Sequence, residues 1–135
     1  MKTIFFSLIL MLVFGGGGVL TAQAQREQTL TVRVHRQKSL ARNNLTIKFV
    51  SLVEDSRCAE GTRCVWAGNA RIQVQITDAR GRSQTFEMNT NTGAKGTSFG
   101  GYAVNLTDVE PRPRANVRIN RNAYTATFSI SRLTR

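Results

Sequence analysis

From Tyr124 to Ser131 the chain alternates without a break: Tyr124, Ala126, Phe128 and Ile130 are apolar, and Thr125, Thr127, Ser129 and Ser131 between them are polar. Successive side chains of an extended backbone point to opposite faces, so a period of two describes a ribbon with one apolar and one wet face. A helix would scatter the same residues around its axis. The pattern recurs at Leu30, Val32 and Val34, at Leu45, Ile47 and Phe49, at Ile72, Val74 and Ile76, at Phe86 and Met88, and at Tyr102, Val104 and Leu106. Val50 and Leu52 shift the phase by one, as a bulge or burial on both faces would require.

Turn-forming clusters separate these runs at Arg42-Asn43-Asn44, Asp78-Ala79-Arg80-Gly81, the stretch Asn89 to Gly101, and Glu110-Pro111-Arg112-Pro113. No segment past the first two dozen residues carries a 3.6-residue apolar period. Strands with one apolar face each must bury those faces against one another. The expected fold is therefore all-β: an antiparallel sandwich of six or seven strands, immunoglobulin-like or related, with a small closed barrel as the alternative.

Residues 1–24 read as a cleavable export signal, with Lys2 at the start, an apolar run from Ile4 to Phe14, and Ala22-Gln23-Ala24 before the cut. Gly15 to Gly18 interrupt the run short of the roughly 20 apolar residues of a membrane span. Residues 25–135 then form one expected domain, large enough for a single core. Its expected location is periplasmic or extracellular.

Export bears on the two cysteines, because thiols outside the cytoplasm are usually oxidised. Cys58 and Cys64 allow one pairing, with Gly61 between them to let the chain turn back. A loop this short gains about 2 kcal/mol from closure. If the chain beyond it is extended, Cys64, Trp66 and Gly68 share a side, and the indole is expected to lie in the core against the disulfide. Asp55 is expected to pair with an arginine or to accept backbone hydrogen bonds. A redox role is disfavoured, since redox cysteines sit closer together and at a helix start.

The order of Asp55-Ser56-Arg57-Cys58, Cys64-Val65-Trp66-Ala67-Gly68-Asn69-Ala70, Phe86-Glu87-Met88-Asn89-Thr90, Gly101 to Leu106, Val109-Glu110-Pro111 and Tyr124 to Phe128 resembles a family of small, exported, functionally uncharacterised bacterial proteins. The likeness spans nearly all of residues 25–135. Two positions depart from it: Ala59 stands where proline is common, and Arg112 where an aromatic is frequent. The resemblance implies an all-β domain and carries no activity.

Chemistry is thinly represented. The single histidine, His35, falls on the outward face of an early strand between Arg33 and Arg36, a poor base for a serine nucleophile. Two cysteines and one histidine cannot complete a four-ligand zinc site, and Arg57 and Arg63 stand among Glu54, Asp55 and Glu60, where calcium ligands would have to gather. No metal, cofactor or catalytic residue is expected.

Charge is the stronger signal. Beyond Lys2 there are 18 basic and 8 acidic residues, a net +10, and 15 of the 18 are arginine, whose planar fork suits phosphate and carboxylate. Arg112, Arg114, Arg118 and Arg121 fall in one proline-stiffened segment, Pro111 to Arg121, that no acidic residue interrupts, and form the candidate anion site. Lipid head-group phosphates, cell-wall polyanions and acidic proteins are the expected partners. Nucleic acid is not, because no aromatic interleaves with these arginines to stack on bases. The reading is a non-enzymatic binding or envelope-accessory module. Its rivals are a carboxylate-dependent polysaccharide hydrolase, and an inhibitor of exported enzymes presenting the disulfide loop or the stretch Gly93 to Gly101.

Overall fold

A computed structural model describes residues 26–41 and 44–134. The expected signal segment, Arg42 and Asn43 lie outside them. Eight strands follow in order: β1 (Gln28–Arg33), β2 (Gln37–Ser39), β3 (Leu45–Asp55), β4 (Ala70–Asp78), β5 (Ser83–Asn89), β6 (Gly96–Phe99), β7 (Tyr102–Glu110) and β8 (Thr125–Arg132). One 3-10 turn, Arg121–Ala123, precedes β8. Among the described residues no helix is long and apolar enough to cross a membrane.

The strands form two four-stranded antiparallel sheets, ordered β1-β8-β7-β6 and β2-β3-β4-β5. Their inner faces meet in one core built around Phe49, Phe128, Leu45, Ile47, Ile72 and Ile76. The alternation decides which side chains go in: along β4, Ala70, Ile72, Val74 and Ile76 are buried, and along β8, Ala126, Phe128 and Ile130. The phase shift at Val50 corresponds to a register shift between Phe49 and Ser51 against β4, and a second follows between Leu52 and Glu54. A third lies in β7 between Leu106 and Asp108, which lets both Leu106 and Val109 face inward.

The strand count exceeds the expected six or seven because β2 and β6 carry no alternating apolar signal. Gln37, Lys38 and Ser39 are all exposed, and β6 holds one large apolar residue, Phe99. The segment from Asn89 to Gly101, read as turn, thus contains a strand paired with β7. Connectivity brings together the two forms considered. Strands β2 to β5 and β6 to β8 are each laid down beside their sequence neighbours, and β1 pairs with β8. This is the circular order of an eight-stranded meander barrel, flattened into a sandwich and left without a ladder where the chain passes from β1 to β2 and from β5 to β6. The Greek-key crossover of an immunoglobulin domain is not used.

A meander places alternate connections at the same end. Segments 34–36, 56–69, 90–95 and 111–124 gather at one end, and the shorter connections 79–82 and 100–101 lie at the other. There Asp78 anchors the β4–β5 turn by accepting from the backbone N–H groups of Arg80 (2.9 Å) and Arg82 (3.0 Å) and from the Arg82 guanidinium. Burial alone would raise the Asp78 pKa, but these hydrogen bonds and the Arg82 charge outweigh it and hold the carboxyl below its ordinary value.

Candidate functional site

The long-loop end is built on a part-buried carboxylate. β3 delivers Asp55 to the edge of the core, and Arg57, two residues on, turns back to meet it in a two-pronged pair, Nε to Oδ1 and Nη2 to Oδ2, each 2.8 Å. Tyr124 donates its hydroxyl to Oδ2 at 3.1 Å. Two further guanidinium N–H groups go to the carbonyls of Val109 and of Pro111, the latter at 2.9 Å. One side chain therefore ties the end of β3 to the end of β7. Burial by itself lowers the Arg57 pKa, and the hydrogen bond and charge of Asp55 more than reverse this, giving a net upward shift. Burial is also the main cause of the upward shift at Tyr124, reinforced by the Asp55 charge. Asp55 meets the sequence expectation of an arginine partner and a backbone donor, the Arg57 N–H.

From this clamp the chain enters the knuckle closed by the Cys58–Cys64 disulfide, whose Cα atoms lie 5.9 Å apart. Gly61 at φ +86° makes the turn between them. Glu60 pairs along the backbone with the 113–115 segment, its N–H donating to Pro113 O (2.8 Å) and its carbonyl accepting from Ala115 N (3.2 Å). The carboxylate of Glu60 also takes the Arg114 guanidinium at 3.2 Å. The knuckle is thereby joined to the arginine segment.

The return path is equally fixed. At Gly68 a Cβ would stand 1.9 Å from Ser56 O and 2.3 Å from Arg57 Cα, so only glycine lets the two arms of the loop pass. Ser56 N donates to Asn69 O at 2.8 Å, and the Asn69 side chain latches the neighbouring loop by donating to Asn89 Oδ1 (2.8 Å) and accepting from Asn91 N (3.0 Å).

Trp66 departs from expectation. It is 67% exposed, Val65 is 93% exposed, and Cys58 and Cys64 are exposed as well, so neither the indole nor the disulfide belongs to the core. The extended path assumed for residues 64–68 does not exist, since strand pairing resumes only at Ala70. Both arms are held at Ser56 and Gly68, and the residues farthest from that base have no sheet to lie against. Gly68 holds its structural role by close backbone approach, without sharing a face with Trp66.

Two of the four candidate arginines of the 112–121 segment are occupied. Arg112 lies between Asp108 (3.7 Å) and Glu110 (3.6 Å), and Arg114 is paired with Glu60. Arg112, Arg114 and Arg118 share an open cleft of about 340 Å³ with Glu60 and Glu110. Arg121 lies apart from that cleft, on the 3-10 turn beside Asn122, whose carbonyl accepts from Arg33 Nε at 3.0 Å. Asn122 joins Arg33, Val34, His35 and Arg36 around a second cleft, of about 370 Å³, with no carboxylate in its lining. His35 occupies a turn at φ 62° and not the strand face expected for it. Among the described residues neither Arg118 nor Arg121 has a carboxylate partner.

Taken together, the four connections carry Arg36, Arg57, Arg63, Lys95, Arg112, Arg114, Arg118 and Arg121 against Glu60 as the single acidic residue. Arg57 is consumed inside the fold; the others face outward or sit at the rim. Sequence reasoning saw one arginine run where the fold assembles several loops, and it missed Arg36 and Arg63 because their loops are distant along the chain.

Carboxylate pairs do approach each other, but around arginine. Glu54 and Glu87 both reach Arg71, at 3.3 and 4.0 Å, as Asp108 and Glu110 both reach Arg112. In each pair a guanidinium is the shared partner of the two carboxylates. Of the two loops an inhibitor was expected to present, 93–101 contains β6 at Gly96–Phe99, paired with β7. Among the described residues no three metal-ligating side chains converge. Comparison with protein-family models, curated proteins and solved structures finds no match to this chain.

Proposed function

We propose that the protein is a non-enzymatic binding module of the cell envelope or exterior whose long-loop end engages an anionic partner. The observation that carries this reading is the charge asymmetry of that end: Arg57, Arg112 and Arg114 are paired with Asp55, Asp108, Glu110 and Glu60, which leaves Arg36, Arg63, Lys95, Arg118 and Arg121 without a carboxylate partner among the described residues. Cations gathered in one place focus an attractive field over several ångströms, which raises the encounter rate with polyanions and orients the protein on them. The apolar leader and the disulfide support a place outside the cytoplasm, and the resemblance to small exported proteins agrees with it.

The test is retention on dextran sulfate as salt is raised. The pair Arg118→Gln and Arg121→Gln removes two unpaired guanidiniums from the long-loop end, and the charge-matched pair Lys38→Gln and Arg80→Gln removes two cations elsewhere. The first variant should elute at clearly lower salt than the second. Equal elution of both would reduce the effect to net charge and defeat the assignment to this end.

A further inference from the structure

The motif around the second cysteine is accounted for by the fold with two exceptions. Cys64 closes the knuckle, Ala67 O accepts from the Asn91 amide, Gly68 permits the close approach to Ser56, and Asn69 latches the neighbouring loop. Val65 and Trp66 stay in solvent, 93% and 67% exposed, at the tip of a loop held at its base by the disulfide, by Glu60 and by Asn69. An immobilised base lowers the ordering cost of presenting these two side chains to a partner. Arg63 precedes them, and the adjoining segment repeats the combination with Val117, 57% exposed, followed by Arg118.

We propose that the Val65–Trp66 tip inserts into the interfacial region of a bilayer containing anionic lipids, with Arg63 and Arg118 meeting the head-group phosphates. This rests on the reading of the long-loop end as an anion-binding surface and names its partner. Tryptophan is suited to that depth, because its ring is apolar and its indole N–H still finds an acceptor among the head groups. Two apolar side chains give marginal partitioning by themselves, and basic residues close to the membrane supply the remainder. A protein partner fits less well: a stable interface takes about 800 Å² from each side around an apolar centre, and here the exposed apolar residues of the tip are Val65 and Trp66.

Trp66 is the chain's one tryptophan, so its fluorescence reports on the tip alone. The emission of the free protein should already resemble that of exposed indole. Adding vesicles of mixed phosphatidylglycerol and phosphatidylcholine should shift it to shorter wavelength, and brominated acyl chains should quench it. Vesicles of phosphatidylcholine alone should leave it unchanged. Val65→Ser, a neutral substitution at a solvent-facing position, should weaken vesicle partitioning roughly tenfold, the worth of one buried aliphatic side chain, with retention on dextran sulfate unaltered. Vesicle binding with an unshifted, unquenched spectrum would overturn the insertion, as would a Val65→Ser protein that partitions like the parent. Retention on dextran sulfate without vesicle binding would defeat the lipid proposal alone. Loss of both would defeat the basic-end reading too.

Discussion

Replacing Gly68 by alanine is the sharpest test of how the long-loop end is held. The added carbon would lie 1.9 Å from Ser56 O, 2.3 Å from Arg57 Cα and 2.5 Å from Ser56 C, all of them backbone atoms that no rotamer change can remove. Reaching ordinary contact at 3.4 Å requires the two arms to separate by about 1.5 Å. That opening breaks the Ser56 N to Asn69 O bond, now 2.8 Å, and the two bonds between the Ser56 hydroxyl and the Asn69 backbone, at 3.1 and 3.2 Å. Each is worth about 1 kcal/mol net. Alanine returns less than 1 kcal/mol by restricting the unfolded chain, so the expected loss is about 2–3 kcal/mol. For a domain of this size it should lower Tm by roughly 10–20 °C. Urea denaturation followed by circular dichroism would show a reduced midpoint at unchanged slope. Gly61→Ala is the control: it meets nothing within 4 Å and carries only the strain of φ +86°, about 1 kcal/mol. If Gly68→Ala matched the parent, or cost no more than Gly61→Ala, the close passage of the two arms would not be what sets the loop.

Two further outcomes follow from the same structure. Replacing Cys58 and Cys64 together by serine should cost about 2 kcal/mol through loop entropy and leave the strand signal in circular dichroism intact, because no residue of the closed loop lies in the core; an unfolded double variant would contradict this. Asp78 titrates below its ordinary value in the folded protein, so its stabilising effect is complete above the unfolded carboxylate's value of about 3.9 and is lost as pH falls through the lower folded value. Asp78→Asn should therefore flatten the acid limb of the stability profile below about pH 4, and an equally steep limb in both proteins would refute the linkage.

The strands that the sequence revealed are those with β-branched and aromatic residues at alternate positions. In β4 and β8 the buried positions coincide with the apolar ones, Asp78 at the end of β4 excepted. Alternation reports which face a side chain takes and is silent on which strand lies alongside, so the meander could not be told from a Greek key. Short polar edge strands such as Gln37–Ser39 owe their conformation to a neighbour's backbone and leave no pattern of their own. At the site, Asp55 was legible because a carboxylate beside Arg57 has few other ways to be satisfied. Trp66 was misread because hydrophobicity stood in for position, and the position was decided by Gly68 and Asn69, whose contacts are with backbone. The pairing of Arg114 was hidden for a related reason, since Glu60 is remote in sequence and reaches Arg114 only through the knuckle, whereas the partners of Arg112, Asp108 and Glu110, lie just upstream of it in the chain.

Because each strand from β3 to β5 and from β7 to β8 pairs with the one before it, a chain released from its N-terminus onward assembles hairpin by hairpin. The exception is β1, whose ladder joins Gln28 to Ile130 and Arg33 to Thr125. The first strand to emerge must wait for the last, bearing an open edge throughout. Its outward residues Gln28, Thr29, Thr31 and Arg33 are polar, a composition that keeps such an edge from recruiting other chains in the interval. Closure of the flattened ring is then the final step, and a product truncated before Thr125 would leave both β1 and β7 short of a neighbour.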